Sequence, residues 1–389
     1  MSHPLDFYPS IGTHELPFDG VSLSTLTEIP KVDLHRHLVG SIRPEVLVYI
    51  ANRLNITLNG FGNDPKRIAR ASVLSKPVPN GYEHFLRKRI WAGFKGIFSD
   101  PRGIHNAVYW GIADAARDGV IYVEFRVAPN SREFNPLLPL SLEEYIDAIR
   151  TGVKVARRDF PKTVAKIILS VGRSGVIERW GDLADRRRRF QKLAESTLTN
   201  RDIVVGLDLT GNEDRYSNDL FQDFCEIVKS AGIPLTVHSG ETGNPKSVWE
   251  ALDKLKVDRI GHGIGAVNDP ELLATLAELR IPMEICPTSN IILSVARSFV
   301  DHPVKEFLEK GLCVTINTDD PVLLGPTTLS NEFLHLIKSG IITVESMGRI
   351  TSQSISASFA TEVEKSELTA RVDDFFSGRP ALTASLGHV

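Results

Sequence analysis

The chain has 389 residues, of which 42% are hydrophobic and 24% charged, a balance typical of a soluble globular protein with a large core. Its formal net charge of −3 gives no electrostatic reason to expect nucleic acid or an anionic membrane surface as a partner. Three cysteines without CxxC spacing, no hydrophobic leader and no membrane-length apolar run favour a reducing, cytoplasmic location.

Strands and helices are predicted to alternate along most of the chain. Residues 1–28 read as a polar arm, and the segment 64–110 holds helical patterns interrupted by prolines. Eight short apolar segments are predicted as strands: Val32–Leu38, Val120–Ala128, Ala165–Val171, Ile203–Leu209, Ile233–Val237, Arg259–Gly261, Pro282–Cys286 and Leu312–Asn317. The amphipathic segments between and after them are predicted as helices: Pro44–Leu54, Leu142–Arg158, Arg186–Leu198, Asp219–Ala231, Lys246–Leu255, Pro270–Arg280, Val304–Lys310, Asn331–Ser339 and Val344–Glu362. A capping helix and a tail over about 370–389 complete the chain.

This alternation predicts an α/β fold, a (β/α)8 TIM barrel with extra helices inserted after strand 1 and at the C-terminus. No composition shift marks a second domain, so residues 1–389 are expected to form a single domain. The rival fold is an open doubly wound sheet, which usually carries a glycine-rich phosphate turn after a strand. No GxGxxG or GxxxxGK[ST] motif follows any predicted strand, and this favours the barrel.

Polar residues recur where the predicted strands end. His35 and His37 close the first strand in the sequence KVDLHRHLVGS, and their i, i+2 spacing points both imidazoles to one face. An isolated HxH is more often structural, but later strand ends carry similar residues, namely Gly211, Asn212, His238, Glu241, His262, Asp319 and Asp320. Because active sites of barrels form at the C-terminal ends of several strands, these residues are expected to meet in one place.

Three histidines and a carboxylate suit a divalent transition metal, zinc first. The predicted ligands are His35, His37, His238 and Asp319, which leave one coordination position for water. Metal-bound water loses its proton near neutral pH and becomes a hydroxide nucleophile. The fourth strand, VVGLDLTG, offers no lysine to bridge two metals, so one Zn²⁺ per chain is expected.

The remaining strand-end residues suit acid–base chemistry and substrate contact. Glu241 lies three residues after His238 and is the predicted general acid, while His262 would orient the hydroxide or remove its proton. Asp320 is not expected to be a second ligand, because adjacent strand residues diverge, and it can reach the substrate instead. Glu124 and Arg126 on the second strand are expected to form a buried charge pair with each other.

Six sequence blocks in order, HRHLVGS, GLDLTGNE, TVHSGET, RIGHG, EICPTSN and TINTDDP, resemble the adenosine deaminase family of the amidohydrolase superfamily. The resemblance spans Lys31 to Pro321 and implies a zinc-dependent barrel that converts a 6-aminopurine to a 6-oxopurine with release of ammonia. It implies the same four ligands, with Asp319 also counted as catalytic. By the same resemblance, Glu241 protonates purine N1, His262 positions hydroxide at C6, Asp320 meets N7 and the Gly211 backbone meets N3. His37 and Val39 are expected to border the substrate.

The chain departs from the family pattern at two positions. The family block LDG, whose aspartate meets the ribose 5′-hydroxyl in nucleoside deaminases, is Leu38-Val39-Gly40 in this chain. In the family block HAGE, Ser239 replaces the alanine. Ser239 leaves the metal chemistry unaffected. Val39 cannot accept a hydrogen bond from a sugar hydroxyl, so the sequence favours an adenosine with an apolar or bulky 5′ group, or a pocket that ignores the sugar.

Other functions remain open at this point. The same family includes deaminases of adenine and of N6-methyl-AMP, and another amidohydrolase type could act on a cyclic amide or ester. A non-catalytic, metal-bound barrel that serves as a binding module is the alternative from another class. The expected partner is a small-molecule purine, with neither nucleic acid nor a membrane involved; the HxE…PCxxC signature of the deaminases that act on nucleic acid is absent.

Overall fold

The computed structural model describes residues 22–58, 62–78, 96–325 and 327–378 of the chain. Eight parallel strands form one sheet in sequential order. They are β1 (Lys31–His37), β2 (Val120–Val127), β3 (Val164–Gly172), β4 (Val204–Thr210), β5 (Leu235–Ser239), β6 (Arg259–His262), β7 (Met283–Ile285) and β8 (Val314–Ile316). A parallel bridge between Arg36 and Asp319 joins the two ends of the sheet and closes the barrel. The predicted (β/α)8 TIM barrel is therefore confirmed.

Helices surround this barrel. In the first half of the chain they are α1 (Leu23–Glu28), α2 (Pro44–Leu54), α3 (Pro65–Ser72), α4 (Pro101–Arg117), α5 (Leu142–Asp159), α6 (Arg173–Arg179) and α7 (Leu183–Thr199). In the second half they are α8 (Gln222–Ser230), α9 (Pro245–Asp253), α10 (Pro270–Leu279), α11 (Pro287–Ile292), α12 (Val304–Glu309), α13 (Leu329–Lys338), α14 (Val344–Ala357) and α15 (Glu362–Ser377). Helices α2, α3 and α4 lie between β1 and β2, and α15 follows the last barrel helix, as predicted for the inserted elements.

Several of these helices begin with the same pair of signals. Asp64, Asp100 and Asp269 accept hydrogen bonds from the first-turn amides of α3, α4 and α10, and a proline follows each aspartate. Proline suits the first helical position because its missing N–H would have no helical partner there. Pro101, which reads in the sequence as an interruption, thus begins the long helix α4 instead.

The two ends of the chain differ from their predicted boundaries. Residues 22–28 of the predicted arm include α1, whose Leu26 is fully buried, while residues 1–21 lie outside the described part. The helix predicted from Val344 to Glu362 ends at Ala357, and a capping box between Thr361 and Glu364 begins α15. Helix α15 continues to Ser377, so the tail predicted from about residue 370 begins later.

The barrel interior holds a network of buried charges. Arg259 bridges the carboxylates of Glu124 on β2, at 2.5 Å, and Glu284 on β7, at 2.7 Å. Arg126 contacts Glu284 and lies 3.3 Å from Asp208 on β4. Glu124 and Arg126 therefore pair with other strands rather than with each other, because both project inward from β2 across the barrel.

No helix within the described ranges is long and apolar enough to cross a bilayer.

Candidate active site

Four histidines predicted at strand ends converge at the C-terminal mouth of the barrel. His35 and His37 end β1, His238 lies near the end of β5, and His262 ends β6. The ring centroids of His35 lie 5.5 Å from His37, 4.6 Å from His238 and 4.6 Å from His262. Asp319 follows β8, with its carboxylate Oδ1 3.4 Å from His37 Nε2 and 3.6 Å from His35 Nε2. The structure thus brings the predicted ligands together.

Buried carboxylates orient two of these imidazoles. Glu284 on β7 contacts Nδ1 of His35 at 2.9 Å, and Asp208 on β4 contacts Nδ1 of His238 at 3.0 Å. A carboxylate acceptor at Nδ1 places the ring proton there and leaves Nε2 with its lone pair. Both Nε2 atoms therefore face the centre of the cluster as acceptors.

These residues fit a tetrahedral metal. The Nε2 atoms of His37 and His238 lie 3.2 Å apart, close to the ligand separation of about 3.3 Å that Zn–N bonds near 2.05 Å require. The candidate ligand atoms of His35, His37 and His238 all lie within 4.8 Å of one another. His35 Nε2 is buried and has no hydrogen-bond partner in the described part of the chain. An inward-facing lone pair of this kind is the feature a divalent cation satisfies.

The electrostatics of the cluster also suit a cation. Burial, reinforced by nearby positive charge, lowers the pKa of His35, His37 and His262 well below the usual value, so these imidazoles are neutral at pH 7. Burial raises the pKa of Asp319, and burial with the Asp319 charge raises that of Asp320 well above its usual value. A bound divalent cation offsets the penalty on both carboxylates.

The two predicted proton-handling residues lie side by side. Glu241 sits on the loop after β5 and is buried, with its Oε1 3.6 Å from Nε2 of His262. Neither ring nitrogen of His262 has a hydrogen-bond partner among the residues described. A buried, unsatisfied imidazole beside a carboxylate is arranged to contact a ligand from the open end of the barrel.

The other predicted residues border the same space. Asp320 is buried, and its Oδ1 lacks a hydrogen-bond partner within the described ranges. Gly40 lies against it, and a Cβ at Gly40 would overlap the Asp320 carboxylate. Val39 begins a 3-10 turn after β1 and is half-buried, while Gly211 follows β4 with a φ of 102°, which favours glycine.

Four supporting residues were missed at the sequence level. Asp208 and Glu284 hold the imidazoles, and Ser289 donates a hydrogen bond to Asp319 Oδ2 at 2.7 Å. Buried Arg173 donates to the backbone carbonyl of His238 at 2.7 Å. A charged residue inside an apolar strand, as in GLDL and MEIC, is the signal that could have identified the two carboxylates. Neither Arg173 nor Ser289 carries such a signal.

Comparisons with known proteins place the chain in a family. A family model described as adenosine deaminase matches residues 30–375. An adenosine deaminase from Klebsiella pneumoniae is 32% identical over 347 residues, covering 89% of this chain and 98% of that protein. Another from Shewanella loihica is 34% identical over 296 residues, covering 76% and 84%. The crystal structure of an N6-mAMP deaminase from Arabidopsis superposes with a TM-score of 0.75 at 25% identity, covering 90% of this chain and 99% of that one. The chain therefore belongs to the adenosine deaminase family of metal-dependent amidohydrolases and is a hydrolytic deaminase that acts on C–N bonds.

Proposed function

We propose that this chain is a zinc-dependent deaminase that converts a 6-aminopurine nucleoside, adenosine or a 5′-modified adenosine, to the 6-oxopurine and releases ammonia. The observation that carries the proposal is the convergence of His35, His37, His238 and Asp319 beside Glu241. These four residues would hold one Zn²⁺ per chain. When bound, the metal lowers the pKa of water and supplies a hydroxide nucleophile at neutral pH.

The remaining steps of the reaction are assigned to side chains of the protein. Attack of hydroxide on purine C6 breaks the C6–N1 double bond and places the electron pair on N1. Glu241 donates the proton that N1 gains. His262, whose Nε2 lies 3.6 Å from Oε1 of Glu241, holds the hydroxide on the face of C6. Asp319 would complete the ligand set and accept a hydrogen bond from the attacking oxygen. The C6 hydroxyl then gives its proton to the amine, and the C6–N bond breaks to release ammonia as the C6=O bond of the 6-oxopurine forms.

Specificity for the purine is assigned to groups around this centre. Asp320, held against Gly40, would meet N7, and the Gly211 N–H would meet N3. His37 borders the space in which the base would lie, and its side chain is 20% exposed. Val39 would face the 5′ end of the sugar. Since valine carries no hydrogen-bonding group, 5′-deoxy and 5′-thioether adenosines should bind without leaving a polar group of the enzyme unpaired.

A second candidate keeps the same chemistry with a different substituent. The Arabidopsis relative at 25% identity is named an N6-mAMP deaminase, and a pocket that does not read the 5′-hydroxyl is compatible with a nucleotide or with free adenine. The experiment that separates the candidates therefore varies the substituents at the N9, 5′ and N6 positions of the purine substrate.

The test is a substrate panel read by loss of ultraviolet absorbance together with release of ammonia, or of methylamine in the case of N6-methyl-AMP. It contains adenine, adenosine, 5′-deoxyadenosine, 5′-methylthioadenosine, adenosine monophosphate and N6-methyl-AMP. The proposal predicts that kcat/KM for 5′-deoxyadenosine and 5′-methylthioadenosine is at least equal to that for adenosine. A marked preference for adenine or N6-methyl-AMP would replace it by the second candidate, and a metal-replete protein inert towards the whole panel would refute both.

A further inference from the structure

The loop that carries Glu241 is held by a buried carboxylate from the neighbouring strand. Glu213 follows β4, two residues after Gly211, and only 4% of it is exposed. Its Oε2 accepts a hydrogen bond from the Gly240 amide at 2.7 Å, and its Oε1 accepts one from the Thr242 amide at 2.8 Å. One carboxylate thus holds the backbone N–H groups of the residues before and after Glu241.

Two hydroxyl groups complete the acceptor sites of this carboxylate. Thr242 Oγ1 lies 3.0 Å from Glu213 Oε1, and Ser247 Oγ donates to Oε2. Ser247 is the third residue of α9, so the carboxylate ties the loop to the start of a helix. Four donors on two oxygens leave the Glu213 side chain with a single orientation.

The backbone of the loop leaves little alternative space. Gly240 has a φ of 74°, and a Cβ there would press on Val248 at 2.6 Å. Its carbonyl accepts hydrogen bonds from Gly243 at 3.2 Å and from Gly265 at 2.9 Å. Glu213 therefore holds the N–H groups of the loop, and backbone amides of Gly243 and Gly265 hold the Gly240 carbonyl.

We propose that Glu213 is a positioning residue for Glu241, which sets where the carboxyl group of that acid lies relative to the substrate. The inference rests on the proposed function, in which Glu241 is the general acid. Glu213 does not touch the substrate in this account. It acts through the two amides that flank Glu241, so its loss should affect proton delivery more than substrate binding.

The informative substitution is Glu213→Gln. Glutamine has the same shape, but its amide nitrogen is a donor and must face one of the two backbone N–H groups. Hydroxyl groups can rotate to accept, whereas the Gly240 and Thr242 amides cannot, so one amide loses its partner and the loop shifts. The matched control is Asp214→Asn, the same change at the next residue, which is exposed and contacts Asn244 at 3.0 Å.

The experiment is a double-mutant cycle between Glu213→Gln and Glu241→Gln, with kcat, KM and metal content measured for each metal-loaded protein. Glu213→Gln alone should keep one metal per chain and a near-parental KM, and should lower kcat by about 10²-fold, the size typical of a misplaced catalytic group. In the Glu241→Gln background the same change should lower kcat by about twofold at most, since the acid it positions is already absent. Asp214→Asn should change neither constant.

Equal losses of kcat in both backgrounds, or loss of the metal, would overturn the positioning role. So would an unchanged kcat in Glu213→Gln while Glu241→Gln is impaired. If Glu241→Gln itself turns over at the parental rate, the assignment of the acid fails instead. Should Glu213→Gln not fold, Ser247→Ala removes one donor to Oε2, and it should give a smaller kcat loss that disappears in the Glu241→Gln background.

Discussion

His262 and Asp319 both adopt a backbone conformation that residues with a Cβ rarely occupy. Their φ values are 61° and 62°, and such positions cost on the order of 1–3 kcal/mol each. At Asp319 the cost is offset by two hydrogen bonds that close the barrel. The Asp319 amide donates to the His35 carbonyl, and the His37 amide donates to the Asp319 carbonyl, both at 2.8 Å. These two hydrogen bonds hold Asp319 where its carboxylate lies 3.4 Å from His37 Nε2 and 3.6 Å from His35 Nε2.

Val39 is the residue from which we predict substrate preference. In the variant Val39→Asp, a carboxylate at this half-buried position gains a hydrogen bond only from substrates with a free 5′-hydroxyl. The preference for adenosine over 5′-deoxyadenosine should therefore rise by about 5- to 150-fold, which corresponds to about 1–3 kcal/mol for one hydrogen bond to a charged group. The measurement is the ratio of the two kcat/KM values in parent and variant. A parent that already prefers adenosine strongly would show that another residue contacts the 5′ position.

At the scale of elements, the inward side chains of β2, β6 and β7 form a charge network that contacts His35, one of the proposed metal ligands. Arg259 is 1% exposed and pairs with both Glu124 and Glu284, and Glu284 in turn contacts Nδ1 of His35. A continuous chain of contacts therefore connects His35 on β1, through Glu284 and Arg259, with Glu124 on β2.

Arg259→Met tests this network. Methionine fills a similar volume but leaves buried Glu124 without a cation and Glu284 with Arg126 alone, so we expect the free energy of unfolding to fall by about 3–5 kcal/mol. The control is Lys229→Met, which breaks an exposed pair with Asp258 and should change it by about 0–1 kcal/mol. Chemical denaturation of the metal-loaded proteins measures both. Similar losses in the two variants would mean that the network contributes little.

The sequence carried enough information for the strands because each is a short apolar run bounded by turn residues. The strand-end histidines followed from the rule that barrel sites form where parallel strands end. Helix α14 was predicted too long because Ser358–Thr361 offers no glycine or proline, and its end is set by the Thr361 capping box of the next helix. The partners of Glu284 and Arg259 could not be predicted, since pairing across a barrel depends on the tilt and register of several strands.

At the scale of the whole molecule, we propose that the chain is one domain whose stability depends on the metal. A ligand that binds only the folded state raises its stability, so removal of the metal with a chelator should lower the midpoint of thermal unfolding. Calorimetry should show a single transition that moves as a unit and recovers when Zn²⁺ is restored. Two transitions, of which only one responds to the chelator, would contradict the single-domain proposal.

The most direct measurement compares ammonia release from adenosine and 5′-deoxyadenosine by the metal-loaded parent and by Glu241→Gln at neutral pH. Glutamine keeps the shape of Glu241 but cannot deliver a proton to a ring nitrogen. We expect the parent to release one ammonia for each 6-oxopurine formed, and the variant to keep its metal while kcat falls by about 10²–10⁴-fold. A variant that retains its metal and near-parental turnover would contradict the account, because the proton would then come from another group.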